Sequence, residues 1–156
     1  MFRMVSVRKL FLLLLAAVVA LMGLFFLHGP FLEEGVDQAV HDILLLQGEP
    51  GTGEVRAEGH RLFQCARKGD GLEVAGVYSL AYVDGDELTV SSPAAFRVHL
   101  SEYGNGTWVP SDPFFQSAGD EAARKELLPL TLRVLMGDPE KYADELRAQI
   151  DSQLRE

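Results

Sequence analysis

From Leu10 to Leu27 the chain reads LFLLLLAAVVALMGLFFL, eighteen residues without a charge, directly after Arg3, Arg8 and Lys9. As a helix this run rises about 27 Å, close to the hydrocarbon thickness of a bilayer. Lipid leaves no backbone amide unpaired, so a helix is the form the run must take there. Three basic residues and no acid precede it, and Glu33 and Glu34 follow soon after. The positive-inside rule then predicts a cytoplasmic N-terminus over 1–9 and a single-pass transmembrane anchor over 10–28. The remainder, 31–156, is expected outside the membrane, in the periplasm if the cell is Gram-negative.

A cleaved secretory signal has a similar basic start, but its apolar region is usually about 7–15 residues and ends at a small-x-small site. Here Ala16, Ala17 and Ala20 are embedded in the run, and its end, Leu24-Phe25-Phe26-Leu27, is bulky. A lipoprotein needs a Cys just after the run, and Cys65, the one Cys, comes far too late. A buried core helix is the third reading. Gly29-Pro30 fits a stop at the lipid boundary, because proline disfavours helical geometry at the residue before it. With no charge inside, the anchor is expected to tether and not to carry ions or protons.

Net charge is −9 overall, yet all 23 acids follow the run and three of the 14 basic residues precede it. From Phe31 onward, 11 basic residues face 23 acidic ones, a net −12. That disfavours nucleic acid, whose binding depends on counterion release by Lys and Arg, and disfavours lying flat on anionic lipid. The expected partners are the bilayer, through the N-terminal helix, and a protein. About 126 residues suffice for one domain with a real core. One Cys rules out an internal disulfide.

Val36, Ala39, Val40, Ile43 and Leu44 are spaced for an amphipathic helix over 33–47, with Gly48 as its stop and Gly48 to Gly53 as a linker. Four strands follow by pattern. Glu54–Arg67 alternates, with Val55, Ala57, Phe63 and Cys65 on one face and Glu58, His60 and Gln64 on the other. Leu72–Val83 is apolar on both faces, as a central covered strand would be. Glu87–Leu100 alternates again, and Thr107-Trp108-Val109 follows Asn105-Gly106. The dipeptides Asp84-Gly85 and Asn105-Gly106 predict type I′ hairpins, hence an antiparallel meander. Gly59, Gly76 and Pro93 interrupt the three long strands, predicting a sheet strongly curved along that line; the alternative is that each run is two shorter strands.

The last segment is helical by pattern. Ser117-x-x-Asp120 suggests a start, Pro129 a kink or restart, Gly137 a stop and Asp138-Pro139 a fresh N-cap and N1. Tyr142, Leu146, Ile150 and Leu154 form its stripe. The class is α+β: a transmembrane helix, an amphipathic helix, a curved four-stranded antiparallel meander and C-terminal helices. This order, with Trp108 in the final strand, resembles cystatin-like and NTF2-like folds in shape.

No catalytic, cofactor or metal site is expected. There is no Gly-x-Ser-x-Gly, and alternation places Cys65 on the face opposite His60, as a buried structural thiol. The histidines His28, His41, His60 and His99 lack zinc spacing. Glu58 and His60 share a face, read as solvated, with His99 about 10 Å away. The Gly48–Gly53 loop lacks the Gly-Lys-Ser/Thr and following helix of a phosphate cradle. Asp84, Asp86 and Glu87 cluster in a turn, where solvated acids are ordinary. Tyr78 and Tyr82 flank Leu80 on one face of the central strand and are the candidate pocket-lining residues of a curved sheet. Phe114-Phe115 is read as a loop that plugs the core or forms a contact patch. The expectation is a non-enzymatic, membrane-anchored interaction or assembly module of an envelope complex. The alternative is a small-ligand-binding or sensing domain with its pocket in the sheet.

Overall fold

Leu72–Val83 is apolar in both parities, and in the computed structural model its strand is covered on both faces. The structure describes the backbone of residues 7–28, 33–47 and 53–155, with side chains for 11–21, 33–47, 53–111 and 115–155. Two units are described separately, Met1–Pro30 and Phe31–Glu156. The first holds α1 (Val7–His28). The second runs α2 (Val36–Leu45), β1 (Glu54–Lys68), β2 (Gly71–Asp84), β3 (Glu87–Val90), β4 (Ala94–Glu102), β5 (Trp108–Ala118), α3 (Glu121–Leu127), α4 (Leu130–Met136), a 3-10 turn (Pro139–Tyr142) and α5 (Ala143–Gln153).

The membrane span expected over 10–28 finds no support in the structure. Among the described residues no helix is long and apolar enough to cross a membrane. The side chains described on α1, residues 11–21, are all exposed. A helix therefore stands where the span was expected, and the structure does not support a single-pass protein. The Gly29-Pro30 break and the linker over 48–52 lie outside the described residues.

The sheet is an antiparallel meander in the order β1-β2-β4-β5, with β3 also pairing β2. β4 pairs Gly71–Tyr78 and β3 pairs Ala81–Asp84 of the same strand, so the two share one position in the sheet. The expected third strand is thus split, giving five strands in place of four. Pro93 has no N–H for the ladder. Ser91 bridges the break, donating its N–H to Leu80 O and accepting the Leu80 N–H on its hydroxyl, both at 2.9 Å. The last strand is far longer than Thr107-Trp108-Val109, and Pro110 and Pro113 sit on it. It pairs with β4 alone, and an edge strand tolerates proline.

On one face α2 buries Val36, Ala39, Val40, Ile43 and Leu44 against Leu72, Val74, Leu80, Phe96 and Trp108. On the other, α3, α4 and α5 pack Leu127, Leu132, Met136 and Leu146 against Phe63, Ala75 and Val77. The sheet is not curled, which corrects the expected curvature. The interrupting residues serve close packing instead. A Cβ on Gly59 would stand 2.4 Å from Leu146 O, and one on Gly76 would stand 2.3 Å from Arg61 O and 2.9 Å from the Phe96 ring.

A bulge between Leu62 and Gln64 adds one residue to β1. Leu62 breaks the alternation because the face it shares with His60 is covered by α2, and the bulge reverses the parity beyond it. His60 pairs Tyr78 and Cys65 pairs Val74, so both face α2. The expected opposition of Cys65 and His60 is corrected accordingly; they lie about 13 Å apart along the strand.

The turns obey the φ requirement with one change. Asn105 and Gly106 both have positive φ, as type I′ demands. In the β2–β3 hairpin the central pair is Gly85-Asp86, and only Gly85 is positive, the type II′ pattern. Asp120, not Ser117, caps α3, accepting from Ala123 N at 2.8 Å, while Ser117 pairs with Phe96 in the sheet. Pro129 opens α4, Gly137 ends it, and Asp138-Pro139 opens the next turn.

Gly59→Ala is expected to destabilise the Phe31–Glu156 unit by about 2 kcal/mol, the cost of overpacking a backbone contact. Urea unfolding of both forms measures this; an unchanged midpoint would show that α5 can move away freely.

Candidate functional site

Glu58 and His60 stand on the face of β1 that α2 covers. Both were expected on a solvated face. In the structure Glu58 is 1% exposed. His41 Nδ1 donates to Glu58 Oε1 at 2.7 Å, and His60 Nδ1 lies 3.0 Å from both oxygens of that carboxylate. His60 Nε2 reaches Asp37 Oδ1 on α2 at 3.0 Å. Each ring nitrogen of His60 therefore faces a carboxylate oxygen, an acceptor, and the ring serves as a doubly protonated bridge from β1 to α2.

Burial opposes charge on His60, but the hydrogen bonds to Asp37 and Glu58 and their charges outweigh it, raising its pKa to about 9. The Asp37 carboxyl is held below its ordinary value by the His60 hydrogen bond, against partial burial. An imidazole donating from both nitrogens has no lone pair for a proton or a metal. This cluster is a clamp. Among the described residues no group of three or more His, Cys, Asp or Glu is arranged to hold a metal ion.

α5 holds the same strand from its open edge. Gln153 accepts the Glu58 N–H at 3.0 Å and donates to Glu58 O at 2.7 Å, as a neighbouring strand would. Gln149 accepts the His60 N–H at 2.9 Å. The glutamines are four residues apart and so share one helix face. Trp108 fixes the entry to α2, donating its indole N–H to Glu34 O at 3.1 Å.

His99 takes no part in this cluster. It lies 3.5 Å from Glu73, which also receives Lys68 at 2.9 Å. Burial raises the Glu73 pKa, but Lys68 outweighs it and leaves the carboxyl below its usual range. Cys65 packs against the α2-side core, and burial pushes its thiol up. Tyr78 and Tyr82 face α2, and both pack against that core. The Tyr78 ring meets Phe96 and Phe115 edge-on at 5.8 and 5.7 Å. Phe115 thus belongs to a strand and packs on the core; the Phe114 side chain lies outside the described residues. Asp84, Asp86 and Glu87 are exposed in their hairpin.

A cavity of about 310 Å³ lies elsewhere, between α3 and α4. Leu128 and Met136 form its apolar floor, Arg124 and Arg133 supply cations, and Glu121 and Asp138 supply acids. Arg124 reaches Asp138 at 3.8 Å and Lys125 reaches Glu121 at 2.7 Å. Arg133 Nε is buried without a hydrogen-bond partner. The sequence reading missed this cavity. Its one trace there is the pair of arginines bracketing Pro129.

No family model, no characterised protein and no solved structure matches this chain. The cystatin-like and NTF2-like resemblance in shape thus gains no support, and the function rests on the residues themselves.

The His60 contribution to stability is complete below its ordinary pKa of 6.5 and is lost as pH rises through about 9. The Asp37 contribution is present above 3.8 and is lost as pH falls below it. Unfolding free energy is expected to drop by on the order of 3 kcal/mol from pH 6.5 to above 9, and the slope is expected to vanish in His60→Gln. Parallel slopes in both forms would assign the loss to other groups. Glu58→Gln leaves His60 with half its partners and should cost about 3 kcal/mol at neutral pH by denaturant titration.

Proposed function

We propose that the chain is a membrane-tethered, non-enzymatic interaction module whose folded domain docks on a protein partner in an envelope complex. The tether rests on the sequence of Leu10–Leu27, uncharged and flanked by Arg8 and Lys9. The observation that carries docking is α4. Its inner residues Leu132 and Met136 are buried, while Leu130 and Val134 are 65% and 74% exposed. These two apolar side chains sit one turn apart on the outer face, with Arg133 beside them. Among the described residues, the other exposed large apolar ones of the domain (Leu46, Leu88, Tyr103 and Leu154) lie singly at turns or near element ends. An exposed apolar pair flanked by an arginine has the composition of an interface centre.

A photo-reactive residue at Val134 of the full chain is expected to give one discrete adduct in intact cells. Leu130→Asp should abolish it, and the same residue placed at Glu87 should give none. Equal labelling from both positions, or an adduct indifferent to Leu130→Asp, refutes the docking face. Alkaline carbonate extraction tests the tether: the chain should stay in the membrane pellet, and its release would remove that part of the reading.

A further inference from the structure

Arg133 of the α3–α4 cavity acts on Glu121 through its charge, helping the Lys125 hydrogen bond to hold that carboxyl below its ordinary value, but among the described residues it forms no ion pair. Arg124 faces Asp138, and Lys125 faces Glu121. Lys141, which approaches Gly137 at the rim, lies 4.8 Å over the Tyr142 ring. Arg133 Nε is buried and without a partner. A buried donor left unpaired costs more than a hydrogen bond gains, so a group that accepts from it is favoured strongly.

The walls narrow the chemistry of that group. A guanidinium presents its N–H donors in a flat fork that matches a carboxylate. Glu121 and Asp138 at the same cavity repel a second negative charge, which disfavours a dianionic phosphate. Leu128 and Met136 offer an apolar floor. A volume of about 310 Å³ is at the small end for ligand sites and suits a single residue-sized group.

We infer that this cavity is a carboxylate pocket, in which Arg133 receives a monoanionic carboxylate whose apolar neighbour rests on Leu128 and Met136. This deepens the docking reading and rests on it, because Arg133 shares the α4 ridge with Leu130 and Val134. The source is a docking segment of the partner, presenting a C-terminal or side-chain carboxylate beside an apolar side chain.

The test uses the full chain in nanodiscs of zwitterionic lipid, with N-acetyl-leucine as probe and N-acetyl-leucinamide as its uncharged counterpart. The Arg133 Nε–H resonance should shift saturably with the acid. The amide should bind at least tenfold more weakly, as should the acid to Arg133→Lys, which keeps the charge and loses the fork. Arg155→Gln, away from the cavity, should bind the acid as the natural chain does. No shift, an equal response to the amide, or unchanged binding by Arg133→Lys overturns the pocket.

A tetrapeptide ending in a free leucine carboxylate separates the sources. Binding at least tenfold tighter than N-acetyl-leucine supports a partner segment; equal affinity assigns the pocket to a free small carboxylate and overturns the peptide source. Leu130→Ser distinguishes the two levels of the argument. Loss of the Val134 adduct with retained N-acetyl-leucine binding supports both docking and a separate pocket. An adduct that persists while the acid fails to bind removes the pocket and the α4 face together.

Discussion

The close approach of α5 to β1 at Gly59 is the contact on which the rest of the domain is arranged. With no Cβ at that position, the Leu146 carbonyl can lie directly against the strand. That distance lets Gln149 and Gln153 reach the backbone of His60 and Glu58 and close an edge that would otherwise present free amides. Because side chains alternate along a strand, Gly59 turned toward α5 forces Glu58 and His60 toward α2. There they meet His41 and Asp37. One absent side chain thus sets both the helix below the sheet and the ionic clamp above it.

The two faces of the domain are held by different physics. The α3–α5 face is joined by apolar packing and by ring contacts, with the Arg61 guanidinium 5.2 Å over Tyr142 and paired to Glu145. The α2 face adds buried charge to its apolar core. A buried ionic cluster is a poor source of net stability, but it punishes any misplaced partner. Its presence between α2 and β1 fixes the register of a short, ten-residue helix that apolar contacts alone would hold less specifically.

Much of the secondary structure was legible in the sequence because it depends on short-range rules. The five apolar positions of α2 are its five buried ones, the two-sided apolar run is the central strand, and Asn105-Gly106 takes both left-handed conformations. What escaped depends on contacts between distant segments. The bulge at Phe63 reverses parity without a residue type that marks it. Glu58 and His60 looked solvated because their partners lie 17 and 23 positions away on another element. The α3–α4 cavity draws on residues that each read as ordinary helix surface or core, and a sequence pattern carries no sign of an unpaired Nε. Pro113 looked like the end of regular structure, yet an edge strand has a side where its missing N–H is not needed.

The clamp also gives the domain a direction of mechanical strength. Chain that leaves the domain toward its N-terminus exits through Glu33 and α2, so any pull from that side loads α2 first. The bonds resisting it join a helix to a strand at two points, Asp37–His60 and His41–Glu58, one turn apart along α2. Loaded along the helix, the two points share the force; loaded across it, they break one after the other. The angle of pull, more than its size, then decides whether α2 stays seated.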